Sequence, residues 1–225
     1  MCTILVRYDP AGDPLVVVAA NRDEFRGRLA DDPMEIAPRV FAGRDRTAGG
    51  TWLAVSPAGI AALTNVRSGP RDPAAPSRGA LPLAALAGPL PADLTPYNSF
   101  NLLVVDRTGA RVVTHEGAGR PTYTTPLWPG SHVIDNEAFG RPSPRVRRAA
   151  ALLDGAAPGF ALLADHGHGA EDGLCHDGEE YGTVSATLIA LDRDFHVVRY
   201  EHVSGSPCRG LPVDLTARAR DVTGG

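Results

Sequence analysis

Apolar residues in this chain fall in short alternating or β-branched runs separated by turn formers, a pattern that predicts antiparallel hairpins. The first pairs residues 1–7 with residues 15–20 across Asp9-Pro10-Ala11-Gly12-Asp13-Pro14. The second pairs residues 51–55 with 60–64 across Ser56-Pro57-Ala58-Gly59. Two more are predicted, 100–105 with 111–115 and 183–191 with 195–201. Helical spacing is confined to residues 81–86, capped by Ser77 and ended by Gly88-Pro89, to 144–153 and to 160–164. Residues 25–39 and 117–131 read as irregular, 166–180 as an exposed loop, and the tail from Leu211 as polar and frayed. Val133-Ile134 is too short to assign. With no repeat or interdomain linker, residues 1–225 read as one α+β layered domain.

Two of these hairpins end in polar residues that packing does not require. The second strand runs into Asn21-Arg22-Asp23-Glu24, and the second hairpin delivers Asn65 and Arg67. The first hairpin also brings the start of the chain beside Asn21-Arg22-Asp23-Glu24. There stands Cys2, with a side chain small enough to permit removal of Met1. An α-amine, with a pKa of about 7.7–8.0, can then accept the proton of its own thiol, with a pKa of about 8.5. Arg22 favours the thiolate and Asp23 holds the ammonium in this reading. The bland alternative is a small buried cysteine in an N-terminal strand.

At 225 residues, 43% hydrophobic and a net charge of -4, the chain is sized for a sizeable core and gives no electrostatic case for nucleic acid. No apolar run reaches the roughly 18 residues of a membrane span, and no secretory signal is apparent, so a cytoplasmic protein is expected. Three cysteines, Cys2, Cys175 and Cys208, suit a reducing compartment rather than a disulfide framework. All 22 basic residues are Arg, a sign of a GC-rich bacterial source, and a Lys nucleophile or Schiff base is excluded.

Met-Cys-Thr at the start and Asn21-Arg22-Asp23-Glu24 resemble the NRDE proteins, the Transport and Golgi organisation family. The resemblance continues through Gly43-Arg44-Asp45, Gly49-Gly50-Thr51-Trp52-Leu53, Leu63-Thr64-Asn65-Val66-Arg67 and Ser77-Arg78-Gly79. It extends to Tyr97-Asn98-Ser99-Phe100-Asn101-Leu102-Leu103 and Tyr181-Gly182-Thr183. It implies an Ntn-hydrolase-like fold, a four-layer αββα sandwich of antiparallel sheets, and haem or lipid handling has been proposed for eukaryotic members. Asn65 looks like the oxyanion-stabilising Asn of cysteine Ntn hydrolases, and Asn136 resembles their second Asn; either Asn otherwise caps a strand end or turn. Asp23 carries over more safely than Arg22, because Ala20 stands where those hydrolases have Arg. Val184 likewise replaces the Arg that usually follows Gly-Thr in the family.

These observations predict a small-molecule hydrolase or acyltransferase acting on a non-peptide amide or acyl compound. Cys2, Asp23, Asn65 and Asn136 are the catalytic candidates, and Asn21, Arg22, Arg44, Trp52 and Arg67 the substrate-binding ones. Arg44 and Arg67 suit an anionic group, against the alternative of structural ion pairs. Trp52 equally suits a core or pocket wall. The alternative is a non-catalytic carrier of haem or an acyl ligand on the same fold. No cofactor is required, and no metal is expected, because His166, His168, Cys175 and His176 fit no standard zinc spacing. The Arg145, Arg147, Arg148 run is read as a solvated helix face.

Overall fold

The computed structural model describes residues 2–67, 71–117 and 119–224. Among the described residues, thirteen strands form two antiparallel sheets. Along the chain they are β1 (Thr3–Tyr8), β2 (Val16–Phe25), β3 (Ala30–Ala37), β4 (Val40–Asp45), β5 (Leu53–Ser56) and β6 (Gly59–Asn65), then β7 (Phe100–Asp106), β8 (Gly109–His115), β9 (Thr122–Pro126) and β10 (Gly130–Ile134), and finally β11 (Tyr181–Leu191), β12 (Val197–Ser204) and β13 (Val213–Asp214). The first sheet has the order β10-β1-β2-β11-β12-β13 and the second runs β3 through β9 in sequence. Four short α-helices accompany them among the described residues: α1 (Leu81–Ala87), α2 (Pro144–Leu153), α3 (Phe160–Leu163) and α4 (Thr216–Thr223).

Alternation along the strands explains how one sequence serves two cores. Ile4 and Val6 point inward, where Val18, Phe41, Leu53, Ile60, Leu103 and Tyr200 fill the space between the sheets. Leu5, Ala19, Leu188 and Val203 point the other way and pack against Ala149 and Leu153 of α2 and Leu163 of α3. On the second sheet, Leu102 and Val104 lie with Leu81, and Ala54 and Ala61 with Leu86, both from α1. Strands buried on both faces lose the apolar–polar alternation, which is why residues 16–20 read as an unbroken apolar run.

Three segments depart from the sequence reading. Residues 30–37, expected to be irregular, form edge strand β3, whose register shifts on either side of Met34–Glu35. Pro33 is tolerated there because an edge strand leaves ladder positions unpaired. Within the 117–131 stretch, β9 is the opposite edge; its pattern is largely exposed and offers no apolar signal. The tail is ordered: Ala219 and Thr223 of α4 are buried, and Arg220 Nε donates to Val197 O at 2.6 Å. Val133 and Ile134 belong to β10, paired with Leu5 and Ile4. None of the described helices is long and apolar enough to cross a membrane.

Candidate active site

The register Thr3↔Asn21 sets Cys2 beside the polar end of β2. Its half-buried thiol points at the Asp23 carbonyl, Sγ to O 3.9 Å, and opens onto a cavity of about 660 Å³. Burial pushes the thiol pKa up, the Asp23 charge adds to that, and the Arg22 guanidinium pulls it down. Met1, whose removal the nucleophile reading requires, lies outside the described residues.

Asp23 is a buried carboxylate with a built support. Thr183 Oγ1 donates to its Oδ1 at 2.6 Å, and His176 Nε2 stands 3.8 Å from its Oδ2. Behind them Arg145 Nη2 lies 2.5 Å from His176 Nε2 and donates to Ala170 O at 3.0 Å. Burial pushes the Asp23 pKa up, while the Thr183 hydroxyl and the Arg145 charge hold it down. His176 is lowered to about 4, first by burial and then by the Arg145 charge, so it is a neutral imidazole. Arg145 corrects the solvated-face reading of α2: it is 2% exposed, whereas Arg147 is exposed and Arg148 forms a bidentate pair with Asp165 at 2.5 and 2.7 Å. The 166–180 segment is not wholly exposed either, since Leu174 and Cys175 are buried.

On the opposite wall, β6 ends in Asn65, an exposed residue facing the same cavity. Asn136 lines the cavity and is 6% exposed; its Nδ2 donates to Asn65 O at 2.6 Å, and its Oδ1 is buried without a hydrogen-bond partner. The turn carrying Asn136 is fixed by Asn101 on β7. The Asn101 amide donates to Glu137 O at 2.8 Å and accepts from Phe139 N at 3.1 Å, while Thr64 Oγ1 donates to Asp135 O at 2.6 Å.

Arg22 lies on the cavity with its guanidinium over the Trp52 ring, 4.5 Å from the centroid, and its Nη2 3.4 Å from Asp45 Oδ2. Arg22 and its neighbour Asp23 are both among the lining residues, the Asp23 side chain being fully buried. The ladder is irregular here: Asp23 pairs with Thr183 and Arg22 with Ser185, so Val184 is a bulge residue. Val184 and Ala20 are not among the lining residues. Trp52 and Arg67 line the cavity as well.

Two candidates are not brought there. Asn21 points to the other face of β2, where its Nδ2 donates to Leu163 O and Leu174 O, both at 2.8 Å; it ties β2 to the segment around α3. Arg44 is exposed on β4 and lies outside the lining, because alternation along the strand turns it away while Asp45 turns in. The sequence reading also missed residues that do line the cavity: Arg28, Asp45, Arg71, Arg78 and Tyr181. Arg78 lay inside the Ser77-Arg78-Gly79 motif and was the accessible clue. Burial lowers its pKa to about 10, and its Nη1 donates to Ser99 O at 2.7 Å.

Among the described residues, Arg22 and Arg28 pair with Asp45, while Arg67, Arg71 and Arg78 form no ion pair with a carboxylate. Among the described lining residues there is no histidine, and the sulfur is that of Cys2.

Two packed antiparallel sheets with Cys2 opening at one end define an Ntn-hydrolase-like fold. The C2A mutant of a conjugated bile acid hydrolase from Clostridium perfringens is similar with a TM-score of 0.54 at 10% identity, over 96% of this chain and 93% of that one. The chain belongs to the Transport and Golgi organisation 2 family, whose model matches residues 1–159. It is 28% identical over 252 residues to the Transport and Golgi organization protein 2 homolog of Bos taurus, a match covering 88% of this chain and 91% of the bovine protein.

Proposed function

We propose that the chain is a cysteine Ntn-type hydrolase or acyltransferase for a non-peptide amide or related acyl compound that carries an anionic group. The observation that carries this reading is the convergence on one cavity of the Cys2 thiol, the buried Asp23 and the Asn65 side chain. A four-layer αββα arrangement is the matching architecture, supported by helices packed on the outer face of each sheet. The solved neighbour is the C2A form of a hydrolase, which agrees with this reading.

Once Met1 is removed, the α-amine of Cys2 takes the thiol proton and Sγ attacks the substrate carbonyl, whose π electrons move to oxygen. Asn65 supplies a side-chain donor for that oxyanion. Asn136 has committed Nδ2 to Asn65 O, so its role is to hold Asn65 in place. Collapse expels the leaving amine, which takes the proton from the ammonium and leaves a thioester on Cys2. Water or another acyl acceptor then releases the acyl group and regenerates the thiol. Asp23 orients the ammonium throughout, and Arg22 favours the thiolate. Arg67, Arg71 and Arg78 offer the anionic group its counter-charge.

Intact mass first establishes whether the mature chain begins at Cys2. A thiol-directed electrophile mapped by peptide mass is then expected to label Cys2 ahead of Cys208, and Cys2→Ala to abolish both labelling there and turnover. Labelling of Cys2 no faster than Cys208 would count against the nucleophile. Haem or an acyl ligand bound equally by wild type and Cys2→Ala, without preferential labelling, would replace this reading with the carrier one.

A further inference from the structure

A second cluster stands outside the cavity lining, between the segment that precedes β11 and the turn that follows β12. Cys175 Sγ and Cys208 Sγ are 3.5 Å apart, and these two atoms and a ring nitrogen of His166 all lie within 4.8 Å of one another. Neither the spacing of residues 166–176 nor any short motif reveals the set, because Cys208 arrives from the turn beyond β12. We propose that Cys175, Cys208 and His166 form a zinc site with its fourth position open to solvent.

Geometry supports this. Tetrahedral zinc with Zn–S of about 2.3 Å and Zn–N of about 2.0–2.1 Å has ligand–ligand edges of about 3.5–3.8 Å. The two sulfurs already stand at that spacing, whereas a disulfide needs about 2.05 Å. The exposed His166 ring closes the remaining gap by side-chain rotation. Two thiolates and an imidazole are a donor set that selects zinc over hard cations such as magnesium or calcium.

All three ligands are carried on fastened segments. The Asp165 carbonyl accepts from both Leu174 N and Cys175 N at 2.8 Å, which presses residue 166 against Cys175. The Asp165 carboxylate is itself clamped by Arg148 and by Gly167 N at 3.0 Å. Gly173 has no room for a side chain, as a Cβ would meet His166 O at 2.4 Å. The turn carrying Cys208 is tied to β11 by Ser206 Oγ donating to Thr183 O at 2.8 Å, and by the Arg209–Asp177 ion pair. Binding exchanges two thiol protons for one zinc ion and releases them to solvent.

The test uses the reduced, tag-free full chain titrated with Co(II) under anaerobic conditions, followed by Zn(II) displacement. One cobalt per chain with a thiolate-to-cobalt charge-transfer band, bleached by one equivalent of zinc, is expected. Cys208→Ser should remove most of the band, Cys2→Ser should leave it, and His166→Ala, at an exposed position that does not endanger folding, should weaken affinity by about tenfold or more. No charge-transfer band in wild type, or one unchanged in both Cys208→Ser and His166→Ala, would overturn the site. So would a Cys175–Cys208 disulfide forming in air at the same rate with and without stoichiometric zinc.

Discussion

Replacing Asn101 with leucine tests the joint that holds the Asn136 turn in place. Asn101 is fully buried on β7, and leucine keeps its branched shape with bulkier tips, so no cavity forms and lost hydrogen bonds, with some overpacking, set the effect. Its amide donates to Glu137 O at 2.8 Å, with Asp135 O and Thr64 Oγ1 more distant at 3.2 Å. Its carbonyl accepts from Thr114 Oγ1 at 2.9 Å and Phe139 N at 3.1 Å. Three well-made bonds at about 0.5–1.5 kcal/mol each give about 1.5–4.5 kcal/mol, and the part-buried Phe139 N–H loses its side-chain acceptor. Taking about 3 kcal/mol, and about 2–4 °C per kcal/mol for a chain of this size, Tm should fall by about 6–12 °C. Thermal and urea unfolding followed by circular dichroism measure the loss. Labelling of Cys2 and turnover are expected to decline as well, since Asn136 and Asn65 lose their brace. A Tm change below about 2 °C with an unchanged urea midpoint would refute the assignment of Asn101 as this joint.

Gly50→Ala should destabilise by about 1–3 kcal/mol, because the new Cβ would lie 2.5 Å from the backbone of Gly79 and neither backbone segment can yield cheaply. Gly27→Ala, where nothing lies within 4 Å, should stay within about 0.5 kcal/mol, and equal unfolding midpoints for the two variants would contradict the packing argument. Burial holds His115 and His202 below the ordinary histidine pKa, so below about pH 6.5 the unfolded chain binds protons that the folded chain refuses. Their contribution is complete above that pH and is lost as pH falls toward their lowered values. Asp23, held high, acts in the opposite sense in the carboxylate range. His202→Gln should therefore show a shallower loss of Tm than wild type between pH 7.5 and 5.5, and an identical slope would exclude this account.

The hairpins were legible because turn formers and β-branched runs act locally. What escaped the sequence was decided by neighbours far along the chain. Strand β3 is half polar and contains Pro33, and only its partner β4 makes it a strand. Helix α4 is polar on most of its surface and docks through a few contacts, among them Arg39 Nη2 donating to Thr223 O at 2.8 Å. Arg145 read as solvent-facing because it stands in one basic run with Arg147, which is exposed, and Arg148, which pairs with Asp165. Helical spacing does put Arg145 in line with Ala149 and Leu153, the buried stripe of α2, but it cannot name the partner, because the buried Asp23 that Arg145 serves lies on β2.

The site itself shows why short motifs carried more than periodicity did. Gly43 is there to admit the Trp52 ring, which a Cβ would meet at 2.6 Å, and Trp52 in turn is the platform for Arg22. Asp45, two residues on, gathers Arg22 and Arg28 and also accepts from Thr47 N and Ala48 N at 2.9 Å. Gly50 meets Gly79 backbone to backbone, and Thr51 N donates to Gly79 O at 2.9 Å, which seats Arg78 over the cavity. Thus Gly43-Arg44-Asp45, Gly49-Gly50-Thr51-Trp52 and Ser77-Arg78-Gly79 are parts of one wall. Within such a wall the polar residues divide by strand alternation, which separates Asp45 from Arg44 on β4, and Asn21 from Arg22 on β2. A polar cluster read from sequence therefore identifies the end of a strand as a site, while the pairing partner and its bulges decide which of its side chains reach the cavity.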